Sequence, residues 1–270
     1  MIGKLEKMRA TLSSPVDYRL PVGEEELPMN ELLGKSISLT HTGNIYCLNC
    51  ERKSKKSFGQ GYCYPCFKKL ARCDSCIMKP ETCHFDQGTC REPDWAQQFC
   101  FTEHYVYLAN SSGLKVGITR GNQIPTRWID QGAIQALPIF KVKTRFQSGL
   151  LEIALGKHMS DKTNWRKMLK GEVEEMDLAS FRDEILQTCA EDIAKVKAEQ
   201  GEESVEILAE DVVNISYPVE KYPTKVTSFN FDKNPEVTGV LEGIKGQYLI
   251  LDSGVINIRK FTSYEVEVEA

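Results

Sequence analysis

Tyr105–Arg127, YVYLANSSGLKVGITRGNQIPTR, is the stretch on which the reading of this chain turns. YVYL reads as a strand, and the polar residues around Gly113 as a turn. LKVGIT reads as a second strand, GNQIP as another turn, and the helix after it carries Arg127. Ile124, Trp128, Ile129 and Ala133 recur at helical spacing, so one face of that helix packs inward. ALPIFKVKTRF then predicts a third strand. SGLLEIALGKHM predicts a helix, with Ser148 as its cap.

A cysteine-rich region leads into this unit. Nine of the ten cysteines lie between Cys47 and Cys100. Paired in CxxC units, they point to metal rather than to disulfides. Cys47-x2-Cys50 and Cys63-x2-Cys66 stand 12 residues apart, the spacing of a zinc ribbon. Each knuckle offers two thiolates from one tight turn, and two knuckles complete a tetrahedron. A second group follows: Cys73, Cys76, Cys83, His84, Cys90, Cys100 and His104. Cys73, Cys76, Cys83 and Cys90 are the expected ligands of a second zinc. Cys100 with His104 is the competing pair, and His84 can stand in for Cys83. Both sites are expected to be structural, because four protein ligands leave no open position for water. The region is poor in aliphatic residues, so metal has to replace a core. Lys53, Lys55 and Lys56 are interleaved with Phe58, Tyr62 and Tyr64, a mixture suited to phosphate contact and base stacking.

The net charge of −4 argues against a simple polyanion binder, but its distribution does not. Residues 47–120 carry +4, residues 121–170 carry +6, and residues 171–220 carry −12. A basic middle is masked by an acidic segment, and the local field governs contact with nucleic acid. The N-terminus, MIGKLEKMRATL, lacks the apolar run of a secretory signal, and no segment has the length of a membrane span. The expected location is cytoplasmic.

The expected class is α+β and multidomain. Residues 1–46 form a β-rich N-terminal segment, with KLEKMRATL, DYRLPV and KSISLTH as strands and GEEELPMNE as a charged loop. Residues 47–104 bind zinc. Residues 105–170 form the small α/β unit. Residues 171–211 are acidic and helical, with one long helix over 177–198 in which Leu178, Phe181, Ile185, Cys189, Ile193 and Val196 recur at three and four. Residues 212–270 are β-rich, a small barrel or sheet with an Asp-Ser-Gly turn between QYLIL and VINIRK. GKSISLTHTGNIYC shares the rhythm of GQYLILDSGVINIR (Gly, strand, polar-Gly turn, strand), which suggests that the two chain ends pair into one β unit.

Residues 104–170 resemble the GIY-YIG nuclease superfamily, in its phage-type branch. Tyr105-Val106-Tyr107 matches the first motif and Lys115-Val116-Gly117 the second. Arg127 matches the helix arginine, Glu152 the metal-binding glutamate, and His158 and Asn164 match later positions. Tyr105 replaces the first glycine of the family, and Lys115 the second tyrosine. The whole arrangement also resembles an uncharacterised bacterial family that joins cysteine knuckles to such a domain. The resemblance implies metal-dependent cleavage of DNA or RNA, with Tyr107, Arg127 and Glu152 catalytic. Glu152 would hold Mg²⁺, Tyr107 would help activate water, and Arg127 would stabilise the charge on the phosphate. Lys115, Lys53, Lys55 and Lys56 would contact the nucleic acid. The alternative is a non-catalytic, zinc-dependent protein that binds nucleic acid or a ribonucleoprotein. The acidic helix offers a surface for a protein partner.

Overall fold

A computed structural model describes residues 1–159 and 164–270. The N-terminal strands are β1 (Ile2–Lys4), β2 (Arg9–Thr11), β3 (Asp17–Val22) and β4 (Glu25–Pro28). The last three form an antiparallel sheet in the order β2-β3-β4. GEEELPMNE is therefore not all loop: Glu25 pairs with Val22 and Pro28 with Arg19. Its glutamates suit an outer strand, where charge discourages further pairing.

β5 (Ser36–Ile45) is one continuous strand of 10 residues, not the hairpin its rhythm suggests. Gly43 has φ +87 and lies in a bulge: Tyr264 pairs with Ile45, while Val266, two residues on, pairs with His41. The glycine absorbs extra residues inside a strand, so a turn signal here marks a kink.

The cysteine region holds two short helices, α1 (Tyr64–Lys69) and α2 (Pro93–Phe99), joined by single turns of 3₁₀ helix. The central unit follows as β6 (His104–Asn110), β7 (Leu114–Arg120), α3 (Thr126–Asp130), β8 (Gln135–Val142) and α4 (Arg145–Gly156). β6 lies between β7 and β8. Ser148 is not the cap of α4. Thr144 is, and it forms a capping box with Gln147, which leaves Ser148 buried one turn inside.

After α5 (Trp165–Leu169) come α6 (Leu178–Thr188) and α7 (Ala190–Gln200). The single long helix expected over 177–198 is broken at Cys189, whose φ and ψ of −97 and 11 leave the helical region. Cys189 is buried with its sulfur toward the carbonyl of Ala154 on α4. The break lets each 11-residue piece lay its own apolar face on the core. β9 (Val205–Ile207) and β10 (Val213–Asn214) then pair with β8.

The chain ends with β11 (Glu236–Lys245), β12 (Tyr248–Leu251), β13 (Gly254–Asn257) and β14 (Tyr264–Glu269). These join the N-terminal strands in an open six-stranded sheet of order β1-β14-β5-β11-β12-β13, so the C-terminal region is a sheet and not a barrel. The expected hairpin is present, with Leu251 opposite Gly254.

Alternation along β6 divides the interior. Tyr107 and Ala109 face Trp128, Ile129 and the large sheet, in one core with Leu39, Leu241 and Ile256. Val106 and Leu108 face the other way, toward Leu151, Leu155, Ile185 and Val196 of the helices. The acidic helices are therefore core elements on the face away from α3. Among the described residues, no helix is long and apolar enough to cross a membrane.

His104, at the start of β6, is fully buried. Its Nδ1 contacts the carbonyl of Thr102 at 2.8 Å, and its Nε2 has no partner. Burial drives its pKa from 6.5 to about 4, with Arg145 and Arg120 pushing the same way. Between those values the unfolded chain takes up a proton that the folded chain refuses. The contribution to stability is thus present above about pH 6.5 and is lost as pH falls toward 4. Denaturant melts are expected to lose roughly 3 kcal/mol from this residue over that window, and His104→Gln is expected to flatten the dependence.

Candidate functional site

Two features carry chemistry: a thiol cluster at the end of β5, and the cleft it borders. Cys47 and Cys50 lie on the turn after β5, where Glu51 at φ +58 lets the chain double back. The amide of Glu51 then donates to the carbonyl of Cys47 at 2.9 Å. Cys63 precedes α1 and Cys66 lies within it. The ligand atoms of Cys47, Cys50, Cys63 and Cys66 all lie within 4.8 Å of one another, so the four can hold a metal ion.

The sulfurs of Cys50 and Cys63 are 3.7 Å apart. A disulfide requires about 2.05 Å. A tetrahedron with metal–sulfur bonds of about 2.3 Å has an edge of about 3.8 Å, so the spacing is that of ligands around one ion. Crowding also splits the acidities. Burial opposes ionisation of Cys47, but donation from the amides of Cys63, Cys50 and Asn49 outweighs it and lowers the thiol to about 6. Burial, and proton sharing with Cys63 and Cys50, raise Cys66 to about 12.

The second cysteine group divides. Cys76, Cys83 and Cys90 border one small cavity, together with Cys100. Cys73 borders the large cleft instead. Nδ1 of His104 meets the carbonyl of Thr102 at 2.8 Å, and the buried Nε2 has no hydrogen-bond partner.

The cleft has a volume of about 890 Å³ and lies between the ribbon, α3 and the large sheet. Its walls carry the cations Lys7, Arg72, Lys115, Arg127 and Arg259 and the carboxylates Glu6, Asp74 and Asp130, with Gln131. Asp130 is already neutralised, by Lys7 at 2.9 Å and Arg259 at 3.8 Å. Arg127 lies within electrostatic reach of both Arg145 and Arg259. Burial lowers the pKa of Arg145 and of Arg259, and the neighbouring Arg127 lowers each further. Guanidiniums gathered in a half-buried cleft repel one another and are relieved by an anion.

Tyr107 is fully buried, next to Arg127. Its hydroxyl donates to Oε1 of Gln131 at 3.0 Å, and it also bonds Arg127. Burial raises its pKa, and the charge of Glu152 raises it further. Glu152 on α4 likewise interacts with Arg145 two turns earlier. The structure thus brings Tyr107, Arg127 and Glu152 into one neighbourhood, and Lys115 shares the cleft with Arg127.

Gly117 pairs with Tyr107 across β6 and β7, and the phenol lies over it. A Cβ at this position would stand 2.7 Å from the hydroxyl oxygen of Tyr107. The glycine of the second motif is thus there for the tyrosine of the first. Gly117→Ala is expected to cost about 1–3 kcal/mol by overpacking, read as a lower Tm.

Other expected residues lie elsewhere. Lys53, Lys55 and Lys56 are exposed on the loop between the two knuckles and do not line the cleft. Asn164 caps α5, accepting from the amides of Arg166 and Lys167. His158 stands 3.9 Å from Asp192 of α7, on the far side of the sheet. Sequence reading missed Arg145, Arg259 and Gln131. Arg145 had a signal, since it precedes Glu152 by two helical turns and so shares its face. Arg259 had none, being brought in from the C-terminal sheet.

Over residues 34–266 the chain matches a protein family described as a protein of unknown function, DUF2797. The match covers most of the chain, and the protein belongs to this family. No curated protein and no solved structure matches it.

Proposed function

We propose that this protein is a metal-dependent phosphodiesterase acting on DNA or RNA, with a GIY-YIG-like site in the cleft and a zinc ribbon that assists binding. The observation that supports this reading is the gathering of Arg127, Lys115 and Arg259 on one cleft, with the buried Tyr107 bonded to Arg127 and within electrostatic reach of Glu152. Zinc is assigned to Cys47, Cys50, Cys63 and Cys66, because four thiolates suit a soft, closed, tetrahedral site.

Glu152 supplies the hard oxygen suited to Mg²⁺, which when bound neutralises the phosphate and acidifies its water. Arg127 and Arg259 hold the phosphate and meet the charge that grows on it. Tyr107 keeps its proton and positions Arg127, because its phenol is buried and hydrogen-bonded. The direct test incubates labelled single- and double-stranded DNA and RNA with Mg²⁺ or with EDTA. Cleavage only with Mg²⁺ supports the enzyme.

One observation favours a second reading, zinc-dependent binding without turnover: the hydroxyl of Tyr107 is engaged by Gln131 and Arg127 and is shut away from solvent. Tight, salt-dependent binding with no cleavage supports that reading. In either case log affinity is expected to fall with log salt, and Arg259→Ala to reduce the slope by about 1. Affinity that ignores salt counts against both.

A further inference from the structure

We infer that Asp74, Cys76 and His84 form a second metal site, with mixed oxygen, sulfur and nitrogen donors, separate from the ribbon cluster. A carboxylate oxygen of Asp74, the sulfur of Cys76 and a ring nitrogen of His84 all lie within 4.8 Å of one another. The three residues border one cavity of about 20 Å³. A space of about 10–15 Å³ holds a single water-sized sphere, so the cavity has room for one ion. Asp74 caps the turn Ser75–Ile77, which contains Cys76, and His84 caps the turn Phe85–Gln87. From residue 71 to 101 only Ala71, Asp74, Pro80 and Ala96 are buried. That is too little apolar surface to hold these turns together, and a metal supplies what the core lacks.

Hydrogen bonds around the three fix which atoms face the ion. Nδ1 of His84 meets Oγ1 of Thr89 at 2.7 Å, and the same hydroxyl donates to the carbonyl of His84 at 3.2 Å. With its proton directed to the carbonyl, the hydroxyl accepts from Nδ1–H. In the neutral ring Nε2 then bears the lone pair. Nε2 stands 3.7 Å from Oδ2 of Asp74, too far for a hydrogen bond. Two electron-rich atoms facing each other at that distance repel unless a cation lies between them. Ligands on zinc with bonds of about 2.0–2.2 Å stand about 3.3–3.6 Å apart in a tetrahedron, close to this spacing. Oδ1 of Asp74 accepts from the hydroxyl of Ser75 at 3.1 Å and the amide of Cys76 at 3.4 Å. Oδ2 takes Nε of Arg91 at 2.6 Å and keeps a lone pair toward His84. Arg91 is itself held by the carbonyls of Phe67 and Leu70, each at 3.2 Å. Partners of this kind orient metal-binding imidazole and carboxylate groups.

Zinc suits this donor set, because it accepts thiolate, imidazole and carboxylate together, and the two anionic ligands balance its charge. Two rival accounts are weaker. A protonated His84 paired with Asp74 needs no metal, but at 3.7 Å it makes no hydrogen bond, and Arg91 already neutralises the carboxylate. Cys83, Cys90 and Cys100 border the same cavity. Among the described residues, however, none of their sulfurs lies within 4.8 Å of all three ligand atoms.

The test is zinc content per chain on the full-length protein, with zinc as the probe metal and X-ray absorption to count sulfur neighbours. Wild type is expected to hold two zinc ions, one with four sulfurs and one with a single sulfur, an average of about 2.5. Cys76→Ser and His84→Ala are each expected to hold one zinc, with the sulfur count rising to about four. Cys83→Ser, Cys90→Ser and Cys100→Ser are each expected to keep two. A wild-type average near four sulfurs, two zinc ions retained in His84→Ala, or loss of a zinc in any of the last three variants overturns the assignment. If Cys76→Ser does not fold, His84→Ala and the sulfur count of wild type still decide. None of these readouts depends on nuclease activity, so the site stands or falls apart from the proposed function.

Discussion

Removing the zinc proposed for Cys47, Cys50, Cys63 and Cys66 is expected to unfold the ribbon and open one wall of the cleft. The segment has almost no core of its own: Phe58 packs on Phe67 and Tyr64, and Tyr64 is 55% exposed. Structural zinc contributes on the order of 10–16 kcal/mol of apparent binding free energy in small zinc domains, which under the proposed assignment is folding free energy of the ribbon. No other interaction in the ribbon approaches that size. The loss spreads, because the ribbon touches the large sheet. The amide of Tyr46 donates to Ser263 at 2.9 Å, and Arg259 donates to Gln60 at 3.0 Å. Arg259 is a cleft residue, so its position depends on the folded ribbon. Hydrogen exchange with and without a strong chelator checks this. Amides from 47 to 70 should lose protection while those of β6 and β8 keep it. Cys63→Ser should reproduce the effect without chelator. If the ribbon amides stay protected in the metal-free chain, the metal is not structural.

The second large effect concerns Glu152 and Arg127. Under the proposed nuclease reading, Glu152→Ala abolishes Mg²⁺-dependent cleavage, because it removes the carboxylate assigned to the ion while Asp130 of the cleft is already paired with Lys7 and Arg259. Glu152→Gln separates charge from shape: it keeps the size and loses the hard anionic ligand, and should be as inactive as the alanine variant. Arg127→Ala is expected to lower the cleavage rate by about 10²–10³-fold, the usual cost of removing one fixed donor to developing charge. Its binding should weaken by far less, since Lys115 and Arg259 remain. Arg127→Lys should recover little, because an ammonium cannot take the two-pronged geometry of a guanidinium on phosphate. An unchanged rate in Glu152→Gln would sink the mechanism. Loss of binding and cleavage to the same extent in Arg127→Ala would place that residue in substrate binding only.

The acidic segment also admits a test. An intramolecular cover over the basic middle is a natural thought from the charge distribution. The packing speaks for a different role, since Leu178, Ile185, Ile193 and Val196 are buried against α4 and the sheet. Deletion of 177–203 is therefore expected to destabilise the central unit and not to raise nucleic-acid affinity.

Local chemistry wrote the elements that the sequence displays on its own. The two knuckles, the β6–β7 hairpin and the apolar rhythm of the acidic helices are patterns of neighbours, set by turn geometry and by periods of two and 3.6. The cluster of Cys47, Cys50, Cys63 and Cys66, which can hold a metal, was legible for that reason, as its four thiols come from two tight turns in one short segment. The tertiary structure decided what distance along the chain conceals. It broke the long helix at Cys189 to seat a buried side chain, and turned a Gly43 hairpin signal into a bulge because β14 was there to pair with it. It divided Cys73 from Cys76, three residues apart, between a cleft and a cavity. It also brought Arg259 from the C-terminal sheet to within reach of Arg127. Those outcomes rest on long-range packing and on charges meeting in a cleft, and no periodicity along the chain carries either.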